Sequence, residues 1–357
     1  MKGIEFPVFK TKTGNGKKFL LEDPAERRMY FALKAGPEIK KLQKYLKKNT
    51  FIGFLLGKKN SGKGTYSKLF KEAIGSDLVA HLSVGDIVRN VHGDLKTKAG
   101  KKALVDFLKR HYRGFISIEK ALDVITGRDT LTLLPTEIIL ALVQREIDRI
   151  GRKAIFIDGF PRNLDQISYS LFFRAIMGYR DDPDFFVFID LPETVMDERI
   201  KYRVICPHCH TPRNLRVLRT NSIGYDKKTR QFYLICDNRD CVGFNKTRLV
   251  SKEGDHLGIE AIRERIELDD KVMRTLLELQ GVPKIYLRNS VPIIQAKKFI
   301  DNYEITPGYR YELDVDQVKV IKEPWEVIDD NGQPSYSLLP APVGVSLIKQ
   351  VAKVLDL

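Results

Sequence analysis

Short, nearly continuous apolar runs punctuate the chain at Phe51–Leu56, Leu78–Leu82, Ala154–Asp158, Phe185–Asp190 and Lys284–Leu287, and each leads into a turn or a helical pattern. Runs of this kind mark strands buried on both faces rather than half-exposed ones. Strands that alternate with helical segments predict a parallel sheet covered by helices on both sides, an α/β three-layer architecture. Sites in such sheets lie at the carboxyl ends of the strands. Three polar segments fall there: residues 57–65, Ser83–Arg89 and Asp158–Gln166.

The two ends carry further elements. Asp23-Pro24 caps and opens a helix to about Lys34, and Gly36-Pro37 is expected to break it. A second helix near 38–48 places Ile39, Leu42 and Leu46 on one face amid lysines, a face suited to packing on the protein body. The segment VKVIKEPWEVIDDNGQPSYSLL (318–339) reads as two strands around an Asn-Gly turn. A last helix from about Val343 would bury Val345, Leu347, Ile348 and Val351, either on the sheet or in an oligomer contact, so a monomer or small homo-oligomer is expected.

Composition narrows the class. The 357 residues are 43% hydrophobic and 30% charged, as in soluble globular proteins. No apolar run approaches the roughly 20 residues of a bilayer span, and the first residues hold no apolar signal core. A cytoplasmic protein without membrane partners is expected. Of the net charge of +15, residues 1–50 hold 13 Lys/Arg against 5 Asp/Glu and residues 201–252 hold 12 against 3. Two local basic excesses point to anionic ligands or surfaces, with solvated lysine faces as the plain reading of the first. All four cysteines lie between 206 and 241, which in a cytosolic chain suggests metal ligation more than disulfides.

The segment GKKNSGKGT (57–65) follows the first strand and opens a helical pattern. Glycines there let backbone N–H groups converge on phosphate oxygens at a helix N-terminus. The common G-x-x-x-x-G-K-[ST] pattern fails narrowly, because Gly64 follows Lys63 and the hydroxyl arrives at Thr65.

With its variation, GKKNSGKGT resembles the phosphate loop of adenylate kinases and other nucleoside monophosphate kinases. LSVGDIVR (82–89), FIDGFPRNLDQ (156–166) and DERIKYR (197–203) match the same family in order, over about residues 51–310. The resemblance implies a phosphate-loop (P-loop) kinase fold, a phosphotransferase, ATP and AMP as substrates, and Mg²⁺. It implies nucleotide contacts by Gly57, Asn60, Ser61, Gly62, Lys63, Gly64, Thr65, Ser83, Gly159 and Val291. Lys63 would hold donor phosphates, Arg89 and Arg162 the acceptor phosphate, and Arg199, Arg203 and Arg263 would surround the transferring group. Guanidinium forks bind phosphate bidentately, which suits five arginines at motif positions. Asp158 would orient water on Mg²⁺, against the alternative of a helix cap. Gln166 falls where the family's adenylate kinases read adenine and its pyrimidine kinases carry Asn. Val84 replaces the family's hydroxyl-bearing Thr. The family's lid arginine maps to Lys252, or to Arg248 in a shifted register.

Cys206-x2-Cys209 and Cys236-x4-Cys241 bracket the second basic segment. Two cysteine pairs suit structural tetrahedral Zn²⁺, with Asp240, His208 or His210 as substitute ligands given the wide last spacing, and reduced, metal-free thiols as the remaining alternative. The family places a mobile lid here. The expected organisation is a basic helical extension (1–50), core (51–90), monophosphate-binding helical insert (91–152), core (153–204), zinc-ribbon-like lid (205–249), core (250–310) and a C-terminal strand–helix addition (311–357). The activity expected is ATP + AMP ⇌ 2 ADP. The alternatives are a kinase for another monophosphate (UMP or CMP), or a non-catalytic nucleotide sensor or nucleic-acid binder using the basic extension and the cysteine segment.

Overall fold

The computed structural model describes residues 1–14, 16–126, 135–162, 164–168, 182–315 and 317–357. The chain runs through α1 (Pro24–Leu46), β1 (Ile52–Gly57), α2 (Lys63–Ile74), β2 (Val79–Ser83), α3 (Val84–Asp94), α4 (Lys98–His111), α5 (Ile118–Thr126) and α6 (Thr136–Ile150). It continues with β3 (Ala154–Asp158), α7 (Leu164–Ser168), β4 (Asp184–Asp190) and α8 (Glu193–Lys201). Short strands follow: β5 (Arg203–Ile205), β6 (Pro212–Asn214), β7 (Ile223–Asp226), β8 (Gln231–Leu234) and β9 (Val250–Ser251). A 3₁₀ segment (Asp255–Ile262) then leads into α9 (Arg263–Glu278), β10 (Lys284–Arg288), β11 (Ser290–Pro292) and α10 (Ile293–Phe299). The chain closes with β12 (Pro307–Asp314), β13 (Gln317–Pro324), β14 (Glu326–Ile328), β15 (Pro334–Ser337) and α11 (Pro340–Val354).

The five apolar runs form one parallel sheet in the order β10-β4-β1-β3-β2. Its two faces feed two apolar clusters, so the sheet is the middle of three layers. On one face Phe51, Phe70, Phe156 and Phe185 pack edge-on or tilted, with ring centroids 5.1–6.4 Å apart. Gly53 makes this possible, since a Cβ there would lie 2.9 Å from the rings of both Phe156 and Phe185. α1, α2 and α11 cover that side. α3 to α6 and α9 cover the other, where Leu104, Leu122, Ile125 and Ile138 join Phe54, Ile155 and Ile157. The helical insert thus shares the sheet's own core.

The terminal elements depart from expectation in instructive ways. α1 does not stop at Gly36-Pro37. It kinks at Ala35 (φ −144°) and continues to Leu46. Proline removes one helical hydrogen bond, but both halves bury apolar residues in the same cluster, Tyr30 and Phe31 before the kink and Leu42 and Leu46 after it. Each such burial contributes roughly 1.5–3 kcal/mol, enough to outweigh the lost bond. At the other end, the 318–339 segment makes three strands rather than two. The Asn331-Gly332 turn does close β14–β15, but β13 pairs backwards with β12. α11 opens at Pro340, earlier than Val343, and buries Val345, Leu347, Ile348 and Val351 against the sheet. Among the described residues, no helix is long and apolar enough to cross a membrane.

Candidate active site

β1 ends at Gly57, where a Cβ would fall 2.5 Å from the Ser61 hydroxyl and 3.2 Å from Ile189. Only glycine lets the loop fold so closely back on the strand. Asn60 (φ 66°) and Gly62 (φ 94°) make the left-handed turns, and α2 starts at Lys63 without a side-chain cap. Uncapped N–H groups and the helix dipole leave that end receptive to an anion. The Lys63 ammonium curls over the loop, donating to the carbonyls of Gly57 (2.7 Å) and Lys58 (3.1 Å).

A cleft of about 980 Å³ opens above this loop. It is lined by the loop itself, by Asp158, Gly159 and Arg162 after β3, and by Arg263, Arg265 and Asp269 on α9. Arg162 Nε is buried with no hydrogen-bond partner. Arg265 binds Asp269 at 2.6 Å and donates to the Arg162 carbonyl at 3.3 Å. Asp269 also accepts the Lys59 backbone N–H at 2.9 Å, tying α9 to the loop.

Burial pushes the Lys63 pKa down, although Asp158 and Asp269 oppose the shift. Burial, then the neighbouring Arg265, does the same to Arg162. Burial raises Asp269, against Arg265 and Lys63. Lys63 and Arg162 therefore face one space under desolvation, with Arg265 beside them, and an anion entering it would give Arg162 Nε a partner.

The four cysteine sulfurs lie within 4.8 Å of one another. Cys206–Cys241 and Cys209–Cys236 are each 3.8 Å apart. Four thiolates about 2.3 Å from a tetrahedral metal would be separated by about 3.8 Å, so the donor set fits Zn²⁺. The wider spacing of the last pair does not displace a thiolate from this cluster, because the 236–247 segment folds back through turns between Cys236, Asn245 and Thr247.

No family model matches the chain. It is 26% identical to the adenylate kinase of Thermotoga petrophila over 240 residues, 67% of this chain and 81% of that protein. It is 30% identical to the probable UMP-CMP kinase 2 of Arabidopsis thaliana over 157 residues, 44% of this chain and 49% of the relative. Against the mitochondrial GTP:AMP phosphotransferase of Drosophila melanogaster it is 27% identical over 228 residues, 64% and 82% of the two chains. These relatives are nucleoside monophosphate kinases by name, and the chain is similar to that family.

Gly57, Asn60, Ser61, Gly62, Lys63, Gly64, Thr65, Asp158, Gly159, Arg162 and Arg263 of this chain all line one cleft. Other expected residues stand apart from it. Arg89 is 71% exposed and pairs with Asp86. Ser83 accepts the Asp86 N–H as the cap of α3, next to Asp158 in the β2–β3 register. Gln166 is fully buried, its Oε1 accepting the Arg162 N–H at 2.5 Å. Arg199 is half-buried near Tyr66, and burial lowers its pKa. Arg203 is gripped by both oxygens of Asp255, at 2.6 and 2.7 Å. Val291 is buried in the sheet's core. Arg248 stays within the cysteine segment, over the Tyr233 ring and paired with Asp226, while Lys252 is exposed.

Arg265 is the residue that sequence reasoning missed. The Arg-x-Arg of α9 offers two candidates. Arg263 is held by Glu260, and by Glu193 at 3.0 Å, while Arg265 faces Lys63 and Arg162. The signal was present in Asp269, one turn beyond Arg265 on the same face.

Proposed function

We propose that this kinase is an adenylate kinase, catalysing the reversible, Mg²⁺-dependent transfer of a phosphoryl group from ATP to AMP to give two ADP. The observation that carries the reading is the convergence of Lys63, Arg162 and Arg265 with Asp158 on one cleft at the strand ends. Phosphoryl transfer needs alignment and charge cancellation more than covalent help. The loop 57–65 would cradle the donor phosphates, with Lys63 leaving its carbonyl partners for phosphate oxygens. Arg162 and Arg265, which are neighbours, would together neutralise charge on the moving group. Asp158 would hold Mg²⁺ through water, and the metal would supply charge neutralisation of the donor phosphates.

Arg89 and the 91–152 insert would bind the acceptor phosphate. Gln166 would read adenine with an amide that donates and accepts at once. Segment 205–249 would be the lid, with a structural zinc remote from the chemistry. Arg199 and Arg203 would approach the phosphates as that lid closes. A site built on such hydrogen bonds discriminates strongly among bases.

Val84 gives the second reading its footing. It is buried and lacks a hydroxyl, which leaves a pyrimidine monophosphate as the competing acceptor. Steady-state transfer from ATP to AMP, UMP, CMP and GMP tests both. The expected outcome is AMP preferred by at least about tenfold in kcat/KM. Preference for UMP or CMP would move the assignment to a pyrimidine kinase, and turnover with none would leave a nucleotide-binding protein.

A further inference from the structure

The phosphate loop has a second lysine. The side chain of Lys58 points away from the cleft and is 5% exposed. Its ammonium sits between Glu193 Oε1 (2.8 Å) and Asp330 Oδ2 (3.2 Å), and these carboxylates raise its pKa although burial opposes them. A buried ammonium persists only with such partners. The backbone of the same residue is part of the loop's working geometry: its carbonyl accepts Lys63 Nζ and, at 3.0 Å, the Ser61 N–H.

Asp330 belongs to the turn of the β14–β15 hairpin, outside the stretch that resembles other kinases. The turn is built to present it. Asp329 accepts the N–H groups of Asn331 (3.0 Å) and Gln333 (2.9 Å) and is paired with Arg288 at 2.9 Å, both partners buried. Asp330 Oδ1 in turn accepts the Glu193 N–H at 2.7 Å, filling the side-chain cap that Pro192 cannot supply to α8. Glu193 then binds Arg263 at 3.0 Å. Asp330 also faces the Met1 ammonium at 2.9 Å. One carboxylate of the C-terminal addition thus joins the loop, the helix carrying Arg199 and the start of the helix carrying Arg265.

We infer that Asp330 is a positioning residue for phosphoryl transfer, holding the phosphate loop in its donor-binding shape through Lys58. The inference rests on the cleft being the donor site proposed above. Its action on the donor is indirect, through the Lys58 main chain that supports Lys63.

The test is a double-mutant cycle of Asp330→Asn and Lys58→Met, read by calorimetric ATP binding and by KM for each substrate. Asp330→Asn should weaken ATP about tenfold and leave the KM of the acceptor within about twofold. The double variant should bind ATP about as Lys58→Met alone does, because the two residues act through one contact. Asp330→Glu, still anionic, should recover most of the loss. Unchanged ATP binding in Asp330→Asn, additive losses in the cycle, or equal losses for donor and acceptor would overturn the inference, as would global unfolding of the variant. A parent protein that does not bind ATP would overturn the donor site as well, which separates the two failures.

Discussion

The sheet core and the cysteine segment solve the same problem with different means. The core fills its centre with large side chains, and Phe51, Phe54, Phe70, Phe156, Phe185 and Phe188 are all fully buried. The segment between Arg203 and Ser251 buries few aliphatic side chains, Val204, Val217, Leu234 and Leu249, with three of its cysteines. So few apolar groups cannot offset the conformational entropy of ordering a segment of this size. Four cysteines at metal-ligand spacing would supply the missing cross-link by holding a metal ion. The segment is further clasped by the β12–β13 hairpin. Tyr309 N–H donates to the Arg216 carbonyl (2.7 Å), and the Tyr311 hydroxyl donates to that of Leu215 (2.6 Å). The difference teaches how rigidity is distributed: the phosphate loop grows from the packed part, while the proposed lid has little core of its own and leans on its cysteine cluster and a strap.

The strongest way to break this comparison is at the loop. Lys63→Met should lower kcat by about 10²–10³-fold, the usual scale for a group that stabilises transferring charge. The far-UV spectrum and melting temperature should hold, since the aromatic core is untouched. Unaltered turnover would remove the loop from the mechanism.

Arg265 and Arg263 offer a sharper contrast on one helix. Arg265→Ala should cost about tenfold or more in kcat, and Arg263→Ala several times less, because Glu193 and Glu260 already engage Arg263. Equal losses would return Arg263 to the role that sequence suggested for it. On the acceptor side, Gln166→Ala should raise the KM for AMP about tenfold and that for ATP less than twofold. Equal changes would mean that Gln166 acts only by holding Arg162.

The smallest effect concerns Asp269. Burial raises its folded pKa above the ordinary 3.8, so the folded state binds more protons in the window just above that value. Stability therefore falls as pH rises through the window, and the ionised group remains a burden at neutral pH. Asp269→Asn should flatten that fall in a melting series from pH 3.5 upward and leave the neutral melting temperature equal or slightly higher. A steeper fall in the variant would contradict the sign.

Much of this was legible because it is local. The five apolar runs became the five strands, with shifts of a residue or so at their ends, since a doubly covered strand has little choice but continuous hydrophobicity. Gly57, Gly62 and Lys63 could be read because the turn needs those residue types wherever it occurs. What was not legible depends on distant partners. Nothing near Gly36-Pro37 says that both sides of the kink share one core. Nothing near Val318 says that β13 will turn back to β12. Arg263 and Arg265 differ only in which face of α9 meets Lys63. The placement of Arg89 and Gln166 outside the cleft lining likewise reflects tertiary packing, which a motif match does not encode.

Hydrogen–deuterium exchange on the purified chain, before and after metal is stripped by chelation, tests the central contrast most directly. Elemental analysis beforehand should find about one zinc per chain, as a single tetrahedral site requires. Stripping should then expose the amides of 205–249 while those of β1, β3 and β4 keep their protection, because only the first group depends on the thiolate cross-link. Protection lost uniformly across the chain, or lost nowhere, would contradict the account.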